Sequence, residues 1–398
     1  MLYLLNLRKQ SNQVELDQFF KTLRDKPVAD QQITKSAFFQ ARKQLSATAF
    51  VALNHRVIEH FYSSLRKRGK SSFLRTWHGF RLTAIDGSKL RLPYEKAIVN
   101  HFGLHTGKAI QTPCAMGMMS TFYDVLNKVV IDAGLHPVET SEKACVPDHL
   151  AHADADDLTL YDRGYNAFWL YALHIQRGLR FCMRVKARQL QVAQDFIASG
   201  QSEAMVTLSP NSSSVKTCLA KGIPTTPITL RLVRVDLPNE TEVLITNLMD
   251  SRAFPARVFP ALYHLRWGIE ENYKRIKQWA EIENFSGKSV LSVQQDFHAK
   301  IVSTNLTAMM TLAAEQQPAR VKNRARVYQV NFAQALSKMK HQLVKLIAWI
   351  QDDLMARIKQ TIAYIGETLE AVRKGRSYPR RVKSSKNRIH HPAYKSSL

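Results

Sequence analysis

The chain has 398 residues, 45% of them hydrophobic and 9% aromatic, and its 57 Lys and Arg outweigh 32 Asp and Glu for a formal net charge of +25. That length and apolar content exclude a disordered chain and allow two or three domains with a full core. The basic excess, with a pI near 10, points to a polyanionic partner, because Lys and Arg contacts to phosphates release counterions whatever the nucleotide sequence.

An anionic membrane surface is the competing polyanion. No uncharged apolar run approaches the ~20 residues of a spanning helix, and Met1 to Leu5 is too short for a signal-peptide core. The expectation is a protein without a membrane partner that stays inside the cell. Cys114, Cys145, Cys182 and Cys218 are scattered without a C-x-x-C pair, which argues against a zinc ribbon or a disulfide framework. His101 with His105 and His149 with His152 are the nearest approach to metal-ligand spacing. Neither pair has a third ligand close by in sequence, so both read as surface or packing histidines.

Residues 1 to about 70 read as helical. Helices around Val14 to Leu23 and Ile33 to Leu45, the second with a Thr or Ser cap, suggest a helix-turn-helix joined by a short turn, with Lys35, Arg42 and Lys43 on its outer side. A plain basic helical bundle fits the same pattern. Leu65 to Ser72 looks like a basic linker. From Arg81 the period changes: Arg81 to Asp86 is a short apolar strand ending on a carboxylate, with Gly87 at the turn. Cys114 to Tyr123 and Val129 to Leu135 form a hairpin across Asp124 to Lys128, giving three consecutive antiparallel strands. A helix follows over about Lys143 to Ala151.

Leu158 to Asp162 is a second strand ending on Asp, turning at Gly164 into an amphipathic helix from Ala167 to Gln176. Leu179 to Val185 is a fifth strand. The order β-β-β-α-β-α-β, with carboxylates ending strands one and four, predicts an α/β fold on the ribonuclease-H-like plan. Asp154, Asp156 and Asp157 precede the fourth strand, so they belong at its opposite end and read as a solvated acidic loop. Asp132 is a strand residue with no helix after it. Residues of about 187 to 255, with strands Ile228 to Val235 and Glu242 to Asn247 about a turn at 238–240, form a β-rich insertion. Helix returns after 290 to about Lys374. The end, Arg373 to Lys395, holds nine Lys or Arg and no acid, and is expected to order only on nucleic acid.

The most informative segment runs from Tyr263 to Lys277. Tyr263, Arg266, Glu270 and Lys277 stand at offsets 0, 3, 7 and 14, which at about 100° per residue share one helix face within an arc of about 60°. Leu262, Leu265, Ile269 and Ile276 repeat those offsets as a parallel apolar stripe. A carboxylate flanked by phosphate-binding groups suits metal-dependent phosphoryl transfer. Taken alone, the row also fits a solvated face with i,i+4 ion pairs, and Asp86 or Asp162 alone is also an ordinary strand-end turn residue.

The conjunction of strand-Asp86-Gly, strand-Asp162-Arg-Gly-Tyr and the Tyr-Arg-Glu-Lys helix, in that order, resembles bacterial insertion-sequence transposases of the DDE type with the signature Tyr-x₂-Arg-x₃-Glu-x₆-Lys. The resemblance covers residues 30 to 390 and meets every spacing. It implies a ribonuclease-H-like core with a β-rich insertion before the final catalytic helix, flanked by helical N- and C-terminal regions. The units are then 1–72 (helical, DNA-binding), 73–186 (first part of the core), 187–256 (insertion), 257–290 (the Glu helix), 291–374 (helical) and 375–398 (basic tail).

The resemblance further implies that Asp86, Asp162 and Glu270 bind two catalytic Mg²⁺ ions, with Mn²⁺ as a substitute. Tyr263, Arg266 and Lys277 would hold phosphates of the element end. Trp267 would stack on a flipped base, though a core Trp is the competing reading, and Arg163, Lys274, Arg42 and Lys43 complete the DNA-contact candidates. The partners implied are terminal inverted repeats and target DNA, bound by a homodimer in a synaptic complex in the bacterial cytoplasm at the nucleoid. The activity implied is excision through hairpinned ends and 3′-OH strand transfer. A metal-dependent nuclease with the same core, or an inactive DNA-binding relative, are the alternatives.

Overall fold

Arg81 opens the first strand, β1 (Arg81–Arg91), and Asp157 opens the strand that pairs with it in parallel, β5 (Asp157–Tyr161). The computed structural model that contains them describes residues 1–6, 10–67, 73–106, 113–186, 188, 190–237, 240–317, 327–348 and 353–372. The basic stretch 68–72, the turn residues 238–239 and the tail from 373 lie outside the described residues.

β1 pairs antiparallel with β3 (Cys114–Asp124), which pairs with β4 (Val129–Pro137) across the expected hairpin, while β2 (Leu104–His105) adds a short edge. On its other side β1 meets β5, and β5 meets β6 (Arg180–Val185), both in parallel. The order β4-β3-β1-β5-β6, with only the first three strands antiparallel, is the ribonuclease-H-like arrangement. All five residues of β5 are buried, as befits a central strand covered on both faces.

Several boundaries differ from the sequence reading. β1 does not stop at Asp86: it runs on to Arg91, and Gly87 sits in mid-strand opposite Ser120. The insertion is not a separate β unit. Its strands β7 (Glu203–Leu208), β8 (Ile228–Asp236) and β9 (Thr241–Thr246) continue the same sheet, β9 pairing antiparallel with β6 to give nine strands among the described residues.

The N-terminal helices are α1 (Leu2–Leu5), α2 (Asn12–Leu23), α3 (Lys35–Arg42) and α4 (Thr48–Lys67). Thr34 caps α3 as expected, but residues 24–34 separate it from α2, far longer than the three- or four-residue turn of a helix-turn-helix. Helices α5 (Lys96–Phe102), α7 (Phe168–Gln176) and α8 (Gln191–Ala198) pack against the sheet and its extension, α9 (Ser212–Ala220) packs on α7, and α6 (Val146–His149) reaches the sheet through His149. The signature segment spans α10 (Phe259–His264) and α11 (Trp267–Lys274). Beyond it come α12 (Val290–Glu315), α13 (Phe332–Ala348) and α14 (Leu354–Gly366). A two-strand ribbon, β10 (Tyr328–Val330) with β11 (Leu369–Ala371), interrupts the expected run of helix.

Arg81 and Asp157 form a two-pronged pair, Nε to Oδ1 at 2.5 Å and Nη2 to Oδ2 at 2.7 Å, with the carboxylate fully buried. Asp157 is therefore not the solvated acid the sequence suggested. It does lie at the opposite end of the strand from Asp162. The Arg81 guanidinium stacks on Tyr62 of α4 at 4.6 Å, and Tyr62 donates to Asp124 at 2.6 Å. Arg81→Met strands a buried carboxylate and is expected to cost about 3–5 kcal/mol. Arg81→Met with Asp157→Leu recovers most of that loss. Urea unfolding midpoints measure both, and equal losses in the single and double variants would show that the charges are not paired.

Candidate active site

The parallel register fixes where the first two acids fall. Arg81 lies opposite Asp157 and Ala84 opposite Leu160, so five residues along each strand bring Asp86 and Asp162 to the same end of the sheet. Asp162 follows the last residue of β5 and caps a 3₁₀ turn over Arg163–Tyr165, accepting from the Gly164 amide at 2.6 Å. Asp86 accepts from the Gly87 amide at 2.9 Å.

The two carboxylates feel each other. Burial, first, and then the negative charges of Glu142 and Asp162 push the Asp86 carboxyl up to about 7, against the opposing pull of the Gly87 amide and of Arg266. Glu142 is raised likewise, by burial and by Asp162. This fourth acid was missed in the sequence. It opens the 3₁₀ turn Glu142–Cys145 after β4 and reaches over β1, where a Cβ on Gly87 would stand 2.4 Å from its Cγ. Gly87 is therefore the residue that lets a side chain approach the strand backbone, not a turn. A glycine beside a strand acid was the available clue.

The signature segment closes the site from above. It is not one regular helix: after Tyr263 the amides of Leu265, Arg266, Gly268 and Ile269 bond three residues back, and Arg275–Trp279 then forms a π turn. Overwinding followed by underwinding keeps the row facing the sheet by a different route from the uniform pitch expected. Two tyrosines fasten it. Tyr263 donates to the carbonyl of Tyr161 at 3.1 Å, one residue before Asp162, and Tyr273 donates to the carbonyl of Asp86 itself while accepting from Thr121 at 3.0 Å. The Tyr263 hydroxyl thus meets backbone, where the resemblance had aimed it at phosphate.

Arg266 bridges to Glu270 at 2.9 Å and is close enough to Asp86 to affect it. Its Nε is buried without a partner among the described residues, and its guanidinium lies against the rings of Trp267, at 5.3 Å, and Tyr263, at 5.9 Å. Lys277 donates to Ser88 Oγ at 2.7 Å and to the Lys89 carbonyl at 2.8 Å, two and three residues along β1 from Asp86. Glu270 does not join Asp86 and Asp162 in a compact group: the three carboxylates do not all lie within 4.8 Å of one another.

Trp267 is 47% exposed, which removes the core-Trp reading. Arg163, Lys274 and Lys43 are exposed. Arg42 is not available to DNA. It is buried and spans to Gln295 at 2.7 Å, Ser286 at 2.7 Å and Asp296 at 3.2 Å, so it binds α3 to α12 and the loop before it. Helical spacing put it beside Lys43 but could not show that α12 covers that face.

The sequence matches the family described as transposase DDE domain over residues 77–306, more than half of the chain. It is similar to the transposase InsG for insertion sequence element IS4 of Escherichia coli (strain K12), 21% identical over 355 residues that span 88% of this chain and 77% of that one. Among solved structures it aligns with a chain of the piggyBac transposase synaptic complex with hairpin DNA at a TM-score of 0.41 and 9% identity, over 87% of this chain and 74% of that one. That last overlap is too loose to bear on the site.

The raised Asp86 carboxyl has a consequence for stability. An acid whose folded value is about 7 against an ordinary 3.8 disfavours folding when ionised, so stability is lost as pH rises through that window. Asp86→Asn is expected to raise the melting temperature of the metal-free protein at pH 8 and far less at pH 5. A difference independent of pH would mean that Asp86 titrates normally.

Proposed function

Because the chain belongs to the transposase DDE domain family, we propose that it is the DNA transposase of an insertion sequence, cutting and pasting through Asp86, Asp162 and Glu270. The observation that carries this reading is the register of β1 on β5, which delivers two carboxylates to one sheet end beneath the helix that holds the third.

The donor set fits hard divalent cations. Every candidate ligand is a carboxylate oxygen, the preference of Mg²⁺ and, in its place, Mn²⁺, and burial with the charges of Glu142 and Asp162 pushes the Asp86 carboxyl up to about 7. Asp86, Asp162 and Glu270 would hold a pair of such ions, with Glu142 within reach of the same group. When bound, the ions supply activation of an attacking oxygen and charge stabilisation of the leaving one in an in-line displacement.

The protein's own groups position DNA. Among the described residues the buried Nε of Arg266 has no partner, and its carboxylate neighbour, Glu270, is one that it can release. A phosphate accepted in the fork of Arg266 frees Glu270 to turn toward Asp86 and Asp162. Lys277 adds a point charge from Ser88. Trp267 offers an exposed ring for a base drawn out of the duplex, which costs a few kcal/mol and needs a stacking partner. Arg163, Lys274 and Lys43 extend the cationic surface. Tyr263 positions the strand end carrying Asp162 through the Tyr161 carbonyl. Joining two element ends calls for two copies, a homodimer across paired terminal repeats.

In a Mg²⁺-dependent assay on a plasmid carrying the element's own ends, the wild type is expected to cut at those ends. Glu270→Gln should bind them nearly as well and cut none. Retained cutting would remove Glu270 from the site, nicking without regard to the ends would indicate a nuclease, and binding without cutting by the wild type an inactive relative. Arg266→Ala is expected to weaken binding to cleaved ends and lower the salt slope by about one. An unchanged slope would end its phosphate role.

A further inference from the structure

Two strands across the sheet from β1, on β4, the fold gathers a second cluster of different chemistry. His55 comes from α4, Asp132 from β4 and His152 from the 3₁₀ turn after α6, and one ligand-type atom from each lies within 4.8 Å of the others. His55 Nε2 is 2.9 Å from Asp132 Oδ1, and the rings of His55 and His152 stack with centroids 3.9 Å apart. His152 is exposed, and its nitrogens make no hydrogen bond among the described residues, so the stack leaves them free to bind.

The carboxylate is held in place from behind. Its second oxygen lies 2.7 Å from His149 Nδ1, and His149 Nε2 lies 2.7 Å from Ser120 Oγ. His149 is buried, so this chain is part of the fold. A fixed carboxylate with its outer hydrogen bond already satisfied is what a metal ligand requires of its surroundings. His55 and His152 border a cavity of about 510 Å³ that also meets Glu59, one helical turn beyond His55. Glu59 is not among the grouped ligand atoms, so the fourth position is left to solvent, to which His152 is exposed.

We propose that His55, Asp132 and His152 form a binding site for a borderline transition-metal ion of the Zn²⁺ class, distinct from the acid site and clamping the N-terminal helix α4 to the catalytic sheet. Two imidazoles and one carboxylate select Zn²⁺ over Mg²⁺, which prefers an all-oxygen shell. The clamp lies where it would matter. Asn54, beside His55, already donates to the carbonyls of Val130 and Ile131, and Tyr62 on the same helix braces Asp124. A metal at His55 adds a third tie between the N-terminal helices and the sheet. Sequence spacing hid the site because His55 is 97 residues from His152 and only the fold joins them.

The test uses the full chain stripped with a chelator, titrated with ZnCl₂ by calorimetry and thermal unfolding, and with Co²⁺ by visible absorption. One equivalent of Zn²⁺ is expected to raise the melting temperature, and Co²⁺ to give the intense bands of a four-coordinate nitrogen-containing site. Asp86→Asn should keep both responses, which separates this site from the acid cluster. His152→Ala, at an exposed side chain that leaves the fold intact, should weaken Zn²⁺ binding at least roughly tenfold and abolish the bands. No Zn²⁺-dependent rise in the wild type, a rise that survives in His152→Ala, or one lost in Asp86→Asn would each overturn the proposal.

Discussion

The buried pair between Arg81 and Asp157 sets the condition on which the rest depends. In a parallel pair a slip of one residue turns every side chain to the opposite face, and β1 and β5 are too apolar to specify register by amphipathic pattern alone. A guanidinium fork that meets one carboxylate in two bonds at 2.5 and 2.7 Å admits only one alignment. Such a pair contributes little net stability, since both charges lose water. Its effect is positional. With the strand starts locked, Asp86 and Asp162 are carried to equal height five residues later.

At that height the electrostatics invert. The strand starts pair opposite charges, whereas the strand ends bring Asp86, Asp162 and Glu142 together, with burial and mutual repulsion raising two of the three carboxyls. Positive charge is near but held aside: Arg266 rests on Glu270 and Lys277 on Ser88. The tyrosines at 263 and 273 fasten the overlying helices to carbonyls at or next to the two aspartates, so the scaffold is rigid where the charges are unsettled. On the proposed function, this arrangement would receive divalent cations together with DNA phosphates.

Much of this was legible in the chain. Strand-then-carboxylate, repeated twice, and the Tyr-Arg-Glu-Lys spacing identified the plan of the core, and the hairpin over Asp124 to Lys128 falls where turn chemistry puts it. What escaped depended on distant neighbours. Gly87 reads as a turn by composition, yet Glu142 fills the space above it. Asp157 reads as solvated because its partner Arg81 is 76 residues away. Arg42 reads as a DNA contact until α12 covers it. The uniform pitch assumed for the signature segment ignored local overwinding and a π turn, which spacing alone cannot reveal. His152 comes together with His55 and Asp132 only in the fold, which no spacing along the chain displays.

The antiparallel seam between β6 and β9 gives the insertion a mechanical character. Cys182 to Val185 pair residue by residue with Val243 to Thr246, so β7, β8 and β9 extend from the core as a cantilever continuous with the strand next to β5. Backbone hydrogen bonds, not a flexible neck, carry any load across that seam. Bending the far edge therefore twists the plate on which Asp162 is mounted. The insertion cannot be exchanged as a cassette without recutting the sheet that it continues.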